Sequence, residues 1–297
     1  MQSNFYKIRN IEIVVNSCDA YSDIWEMFFL CFKEYWPDNQ ATIHLNTETT
    51  KFSLPEHLNI NVKMHSYKSG PVDQWGARLI STLESIESEF IVMLYDDFLL
   101  NKKVDHKKFA ELVNLIVSSE IIDVIYLTKL VGVKKSPWQD SSLSLVGSDS
   151  DYRLNSAPAI WRKSALLNYT REQDNPWAWE FFGSYRTFKH KKQFIAISDT
   201  HDDVYPYDYQ KGGAIYRGKW VVDVVTPVIE KYKLAINLNR RGILESYDFP
   251  KRDLKWKILF LAIGVKMLGI QIVLVVYRVL KTKISKFKFD LISSKLG

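Results

Sequence analysis

The run Phe90-Ile-Val-Met-Leu94 is apolar at every position and ends abruptly at Tyr95-Asp96-Asp97. A strand with one solvated face alternates apolar and polar residues. This one does not, so both of its faces must be covered, as in the central strand of a parallel sheet. The neighbouring sequence supplies the cover. Ile11–Asn16 reads as a buried strand that ends in the turn-forming Asn16-Ser17-Cys18-Asp19. Residues 21–35 repeat apolar side chains at helical spacing (Ile24, Phe28, Cys31, Phe32). Further strands are expected at Ala41–Leu45, Ile60–Met64 and Ile121–Leu127, with helices at Trp75–Glu87 and near 105–118. Strand and helix thus alternate through roughly the first 130 residues, which predicts an α/β fold with a doubly wound, mostly parallel sheet. Ligands of such sheets bind at the carboxyl ends of the strands, where Asn16–Asp19 and Tyr95–Asp97 are expected.

The second half is less regular. Residues 132–156 read as loop or short hairpin, Ala159–Trp161 as a short strand, and 163–169 as a helix. Asp174-Asn-Pro-Trp177 looks like a helix start, with Pro176 near the first turn. Gln193–Ile197 is another expected strand, and 198–219 a long polar loop whose four Tyr argue against disorder.

Composition sets the class. Of 297 residues, 46% are hydrophobic and 25% charged, which rules out a disordered chain. Two cysteines, Cys18 and Cys31, are too few for a disulfide scaffold or a Cys-based zinc site. The polar opening Met1–Asn10 has no secretory character, so a reducing, cytosolic setting is expected. The formal charge of +6 is uneven: residues 251–297 hold 11 Lys+Arg and two Asp, net +9, leaving −3 for residues 1–250. A basic nucleic-acid-binding body is therefore excluded, and the basicity belongs to a tail with its own task.

Adjacent carboxylates at a strand end suit a hard divalent cation such as Mg²⁺ or Mn²⁺, which prefers oxygen ligands and bridges to phosphates. The bland alternative for Asp96-Asp97 is an Asp-rich turn capping the next helix. Asn16, Ser17 and Asp19 can hydrogen-bond a base and ribose, or simply form a capped turn.

The order of these features resembles the nucleotide-sugar glycosyltransferases of the GT-A fold. The matching segments are the first strand ending at Asn16-Ser17-Cys18-Asp19, the helix start Asp73-Gln-Trp-Gly-Ala-Arg78, and the apolar strand running into Tyr95-Asp96-Asp97. Asn175-Pro-Trp-Ala-Trp-Glu180 is similar to the aromatic-acid segment of bacterial enzymes that build capsule or O-antigen polysaccharide. The resemblance covers about residues 10–235. It implies a Rossmann-like GT-A domain over 1–250, with a nucleotide-binding half to about 130 and an acceptor half over 131–250. It further implies a nucleotide-sugar donor, UDP-linked by expectation, a Mn²⁺ or Mg²⁺ ion, and inverting transfer to a lipid-linked oligosaccharide.

Residue by residue, the resemblance gives donor binding to Asn16, Ser17, Asp19, Arg78 and Asp96, and metal ligation to Asp97, with His201 as a further ligand. The family's metal motif is Asp-x-Asp, and Tyr95 stands at its first position. Glu180 becomes the general base that deprotonates the acceptor hydroxyl, with Asp174 as its substitute. Trp177 and Trp179 would stack on acceptor sugars. In the late loop, Arg217 and Lys219 would clamp diphosphate, with Gly212-Gly213 as a hinge. Each has a plainer alternative: a surface Arg78, a structural His201, a solvated Glu180 beside core tryptophans.

Residues 258–277 are almost all apolar, long enough nominally to match a bilayer core, but Lys266 and Gln271 interrupt them. A spanning helix and a buried helix pair both fit less well than in-plane amphipathic helices. Trp256, Lys257, Lys266, Arg278 and Lys281 would then meet anionic headgroups, peripherally, at the cytoplasmic face of the inner membrane. Two rivals differ in class. A nucleotidyltransferase would want a Gly-rich, basic loop after the first strand, which Asn16–Asp19 is not. A non-catalytic, membrane-associated carbohydrate-binding protein would need only the fold.

Overall fold

The computed structural model describes residues 11–53, 58, 60–66, 74–245 and 253–281. Asp73, Lys251, Arg252 and the basic residues beyond 281 lie outside the described residues.

Among the described residues strands and α-helices follow in chain order, with a further helical stretch over 272–281. The first half runs β1 (Ile11–Asn16), α1 (Trp25–Tyr35), β2 (Ile43–Thr47), β3 (Val62–Ser66), α2 (Trp75–Glu84), β4 (Phe90–Tyr95), α3 (His106–Ser118) and β5 (Ile122–Tyr126). The second half runs β6 (Lys135–Pro137), β7 (Leu143–Val146), β8 (Ala159–Arg162), α4 (Lys163–Tyr169), α5 (Pro176–Phe181), β9 (Gln193–Ile197), β10 (Ile215–Tyr216), β11 (Lys219–Trp220), α6 (Val222–Tyr232) and α7 (Leu254–Leu268). Nine strands form one sheet in the order β3-β2-β1-β4-β8-β5-β9-β7-β6. β1 to β4 are mutually parallel, as are β5 and β9. β8 enters antiparallel between β4 and β5, and β7 lies antiparallel to β9. The result is a mostly parallel, mixed α/β sheet, as the alternation predicts.

The apolar run is what that reading requires. Phe90 to Leu94 are buried, and successive side chains enter opposite cores. Phe90, Val92 and Leu94 join Ile13, Val15 and the buried side of α1 and α3 on one face. Ile91 and Met93 join Val14, Trp75, Leu79, Trp161 and Trp179 on the other. The sheet is therefore a middle layer between two helical layers.

Two expectations shift and a third is narrowed to one of its alternatives. The first helix begins at Trp25 rather than 21, because Asp19–Tyr21 form a 3₁₀ turn ahead of it. The expected loop 198–219 carries the β10–β11 hairpin. Residues 132–156 resolve into the β6–β7 hairpin at the sheet edge.

Sheet order places the site. The chain moves from β1 outward to β2 and β3, then returns to lay β4 on the other side of β1. The loops leaving β1 and β4 emerge side by side at the carboxyl end of the sheet and lead to α1 and α3 on the same face. Asn16 pairs with Tyr95 in register, so Ser17 and Asp96 emerge side by side.

Candidate active site

The site is built on a buried carboxylate. Asp96 is 2% exposed, and its Oδ2 accepts hydrogen bonds from the Ser17 hydroxyl and from Trp25 Nε1 at 3.0 Å. Trp25 Nε1 also lies 2.6 Å from Ser17 Oγ. Burial pushes the Asp96 carboxyl above its ordinary range, against the opposing pull of those two donors and of the Arg241 guanidinium. Asp97 is half-buried beside it. Desolvation and the charge of Asp96 push it well above the usual carboxylate range. Two adjacent carboxyls raised in this way form a site that favours a proton or a cation.

A second acid stands on another element. Glu180, on α5, is half-buried, and its Oε1 accepts from the Ser156 amide at 2.7 Å. Burial raises its pKa, and the bonds from Ser156 oppose the rise. Burial holds the phenols of Tyr95 and Tyr207 above their ordinary range, and the charges of Asp97 and Glu180 add to the rise in both. The Tyr95 hydroxyl accepts a long 3.5 Å contact from Ser156 Oγ, beside Glu180. Tyr207 stacks on Phe98 at 4.5 Å between ring centroids.

The segment leading into the β10–β11 hairpin lies against the backbone of Asp97. Ala214 donates its amide to the Asp97 carbonyl at 2.8 Å. Gly213, at φ +82°, lies so close that a Cβ there would come 2.8 Å from that carbonyl, which restricts the position to glycine. Arg217 and Lys219 are exposed on the β10–β11 turn. Arg217 is held over the Tyr216 ring at 5.8 Å.

Several sequence-based assignments need correction. Asp19 does not offer a free oxygen to ribose. Its carboxylate gathers Thr47 Oγ1 (2.9 Å), Thr49 and the amides of Glu48, Thr49 and Thr50, and these bonds hold its pKa below the ordinary range against burial. It fastens the turn after β2. Asp174 is no substitute base: its side chain is fully buried and fixed by Arg186, with Nη2 at 2.8 Å, and by the Arg171 amide at 2.9 Å. Trp179 is completely buried between Trp75 and Trp161, so it cannot stack on an acceptor sugar, whereas Trp177 is 74% exposed. Asn16 and Ser17 are buried supports, Asn16 accepting from Asn46 Nδ2 at 3.0 Å. Arg78 is 5% exposed, bonded to Glu48 at 3.2 Å and to the Ser17 carbonyl at 3.3 Å, so it shapes the β1 loop from within rather than standing on the surface. His201 is exposed and bonded through Nδ1 to Thr200 at 3.1 Å. Among the described residues no group of three or more His, Cys, Asp or Glu converges on a metal position.

Sequence reasoning missed Arg241. It pairs with Asp23, its Nε 3.0 Å from the carboxylate, and lies over the rings of Tyr21 (4.5 Å) and Trp220 (5.2 Å). From 145 positions beyond Asp96 it still lowers that carboxyl. Nothing local in Asn239-Arg-Arg-Gly242 signals this role, which depends on the return of the chain after α6.

No protein-family model matches the chain, and no curated protein does. Among solved structures, it is similar to S. aureus TarS (15% identity, TM-score 0.46), covering 89% of this chain and 50% of that one. The chain thus spans half the length of that neighbour. A cytidylyltransferase from Leptospira borgpetersenii matches at 13% identity and TM-score 0.40, covering 80% of this chain and 99% of that one. The galactosyltransferase LgtC, in complex with donor and acceptor sugar analogues, matches at 12% and 0.32, covering 53% and 59%. The fold assignment above rests on the sheet order, and the chemistry on the residues of the site.

Proposed function

We propose that this chain is a glycosyltransferase that moves a sugar from a nucleotide-sugar donor, UDP-linked by preference, to a lipid-linked oligosaccharide acceptor of a bacterial surface polysaccharide. One observation carries the reading. Asp96 and Asp97 stand side by side at the carboxyl end of β4, where Ser17 and Trp25 hold Asp96, and Tyr95 of the same strand end meets Ser156, which holds the Glu180 carboxylate. A cation site and a proton acceptor linked in this way are what displacement of a diphosphate by a hydroxyl needs.

A divalent cation fits the donor set. Asp97 provides the less committed carboxylate, Asp96 has one oxygen beyond the pair of bonds on Oδ2, and Mg²⁺ commonly uses one or two carboxylates plus substrate phosphates. Bound there, it would neutralise charge on the leaving diphosphate. His201 and its Thr200 partner are not required.

Glu180 takes the proton from the acceptor hydroxyl. The acceptor oxygen bonds to the anomeric carbon as the carbon–oxygen bond to diphosphate breaks, and the leaving nucleotide takes the electron pair. A raised pKa suits Glu180 to hold the proton it receives. Ser156 fixes the carboxylate and Tyr95 borders it. Arg217 and Lys219 supply positive charge above the leaving group, Arg78 and Arg241 hold the loop after β1, and Trp177 offers a flat apolar face to a sugar. One acid without a paired nucleophile favours inversion. The exposed apolar tail supports association with a membrane, and a nucleotide-sugar donor would place the enzyme on its cytoplasmic face.

Glu180→Gln is expected to cut nucleotide release from UDP-sugars about 10²-fold or more while leaving donor affinity nearly intact. Full turnover in that variant would remove Glu180 from the chemistry. A protein that binds UDP-sugar but never releases UDP, whatever lipid-linked acceptor is supplied, would instead be the carbohydrate-binding alternative.

A further inference from the structure

The tail is seated on α5, the helix that carries Glu180. Phe260 of α7 lies 4.7 Å from the Phe182 ring and 6.0 Å from that of Phe181. Gly264 permits this approach, since a Cβ there would come 2.4 Å from Phe182. Arg278 secures the far end, reaching the Asp149 carbonyl at 2.6 Å and lying 5.0 Å over the Phe188 ring.

The apolar stretch is bent. Gly269 has φ +55° and ψ −133°, outside helical values. An added Cβ on Gly264 would also meet Ile272 Cδ1 at 2.8 Å. Eight residues of straight helix would separate those positions by about 12 Å. α7 spans about 22 Å and helix resumes over 272–281, so Leu254–Lys281 is long and apolar enough to cross a membrane if straight, but the break at Gly269 folds it back on itself. The outward side nevertheless exposes Leu254, Ile258, Leu261, Val265, Ile270, Val273 and Leu280. Lys255, Lys257, Lys266 and Lys281 are exposed among them.

Aromatic residues of the folded body continue this surface. Trp256 stacks on Phe260 at 4.9 Å. On α5, Trp177 stands one helical turn before Phe181, hence on the same side of the helix, and Tyr152 packs on Phe181 at 5.5 Å. Trp177 is 74% exposed and Tyr152 42%. Exposed Trp and Tyr beside apolar side chains and lysines are the composition of a membrane interface.

We propose that the bent tail and α5 form one docking surface for the headgroup boundary of an anionic lipid bilayer, with Trp177 and Tyr152 on its rim and Gly264 setting its seat. The catalytic helix then meets the membrane directly, and the tail positions the site instead of merely tethering it. The functional corollary, that the acceptor arrives from that bilayer, rests on the glycosyltransferase reading; the docking does not.

The test uses the full chain and phosphatidylglycerol-containing vesicles whose lipids carry bromine near the headgroup, which quenches nearby tryptophan fluorescence. Quenching should exceed that of the Trp177→Phe variant, although both sediment with the vesicles. In Gly264→Leu, which keeps the apolar character, vesicle binding should persist while replacement of Trp177 no longer alters quenching. Equal quenching with and without Trp177 in the wild-type background would overturn the proposal, as would equal binding to neutral phosphatidylcholine vesicles. Trp177-dependent quenching in a protein that never turns over any nucleotide-sugar would leave the docking standing and overturn the glycosyltransferase reading instead.

Discussion

Acidic residues at strand and helix ends are visible in the sequence, but their occupations are not. Asp19, Asp96, Asp97, Asp174 and Glu180 look alike in a linear reading. Asp19 becomes a fastener through residues 28 to 31 positions away, and Asp174 through Arg186, 12 positions away. Only three-dimensional partners separate a saturated carboxylate from one left to act. Asp174→Ala would strand the nearly buried Arg186, so it is expected to cost about 3–5 kcal/mol in denaturant unfolding. Lost activity without that destabilisation would return Asp174 to the catalytic list. Asp97 calls for the opposite result. Its folded pKa is raised, so the folded state holds the proton more tightly than the unfolded state. Stability is then greatest below the unfolded value, about pH 4, and declines as pH rises toward the folded value. Asp97→Asn should flatten part of that decline in a series of melting curves, Asp96 and Glu180 leaving the rest, and should abolish the melting-temperature gain from Mn²⁺. An unchanged pH profile would mean that Asp97 carries no such strain.

At the scale of elements, β1 and β4 were legible because a strand covered on both faces needs an uninterrupted apolar run, and little else produces one. The insertion of β8 between β4 and β5 was not. Ala159-Ile-Trp-Arg162 reads as a strand, but its direction is decided by partners at Phe90–Met93 and Val124–Tyr126. α6 escaped notice because Val222-Asp-Val-Val-Thr favours strand and Pro227 interrupts a helical reading. Burial of Val224 and Val225 in the core beside α1 overrides both signals. The β10–β11 hairpin has a prediction of its own. Gly213→Val forces a β-branched side chain into positive φ and against the Asp97 carbonyl, a strain of about 1–3 kcal/mol. The hairpin should lift, and donor affinity should fall about tenfold or more by calorimetry, with the far-UV spectrum of the sheet unchanged. Unaltered affinity would remove the hairpin from the donor site.

For the molecule as a whole, the uneven charge already separated a mildly acidic body from a basic, apolar tail. It did not reveal that α7 rests on α5, because contacts between Phe260 and Phe182 have no periodic signature in sequence. Truncation after residue 250 should abolish co-sedimentation with anionic vesicles and expose Phe182, while the nine-stranded sheet persists; a truncated chain that still sediments would place the membrane contact elsewhere. The central claim is that the site at the ends of β1 and β4 binds a nucleotide through a cation on Asp97. Its most direct test is calorimetric titration of wild-type and Asp97→Asn protein with UDP, GDP and CMP, with and without Mn²⁺. The account predicts saturable UDP binding by the wild-type protein that requires Mn²⁺ and is lost in Asp97→Asn. Binding of no nucleotide under either condition, or binding indifferent to both Mn²⁺ and Asp97, would contradict it.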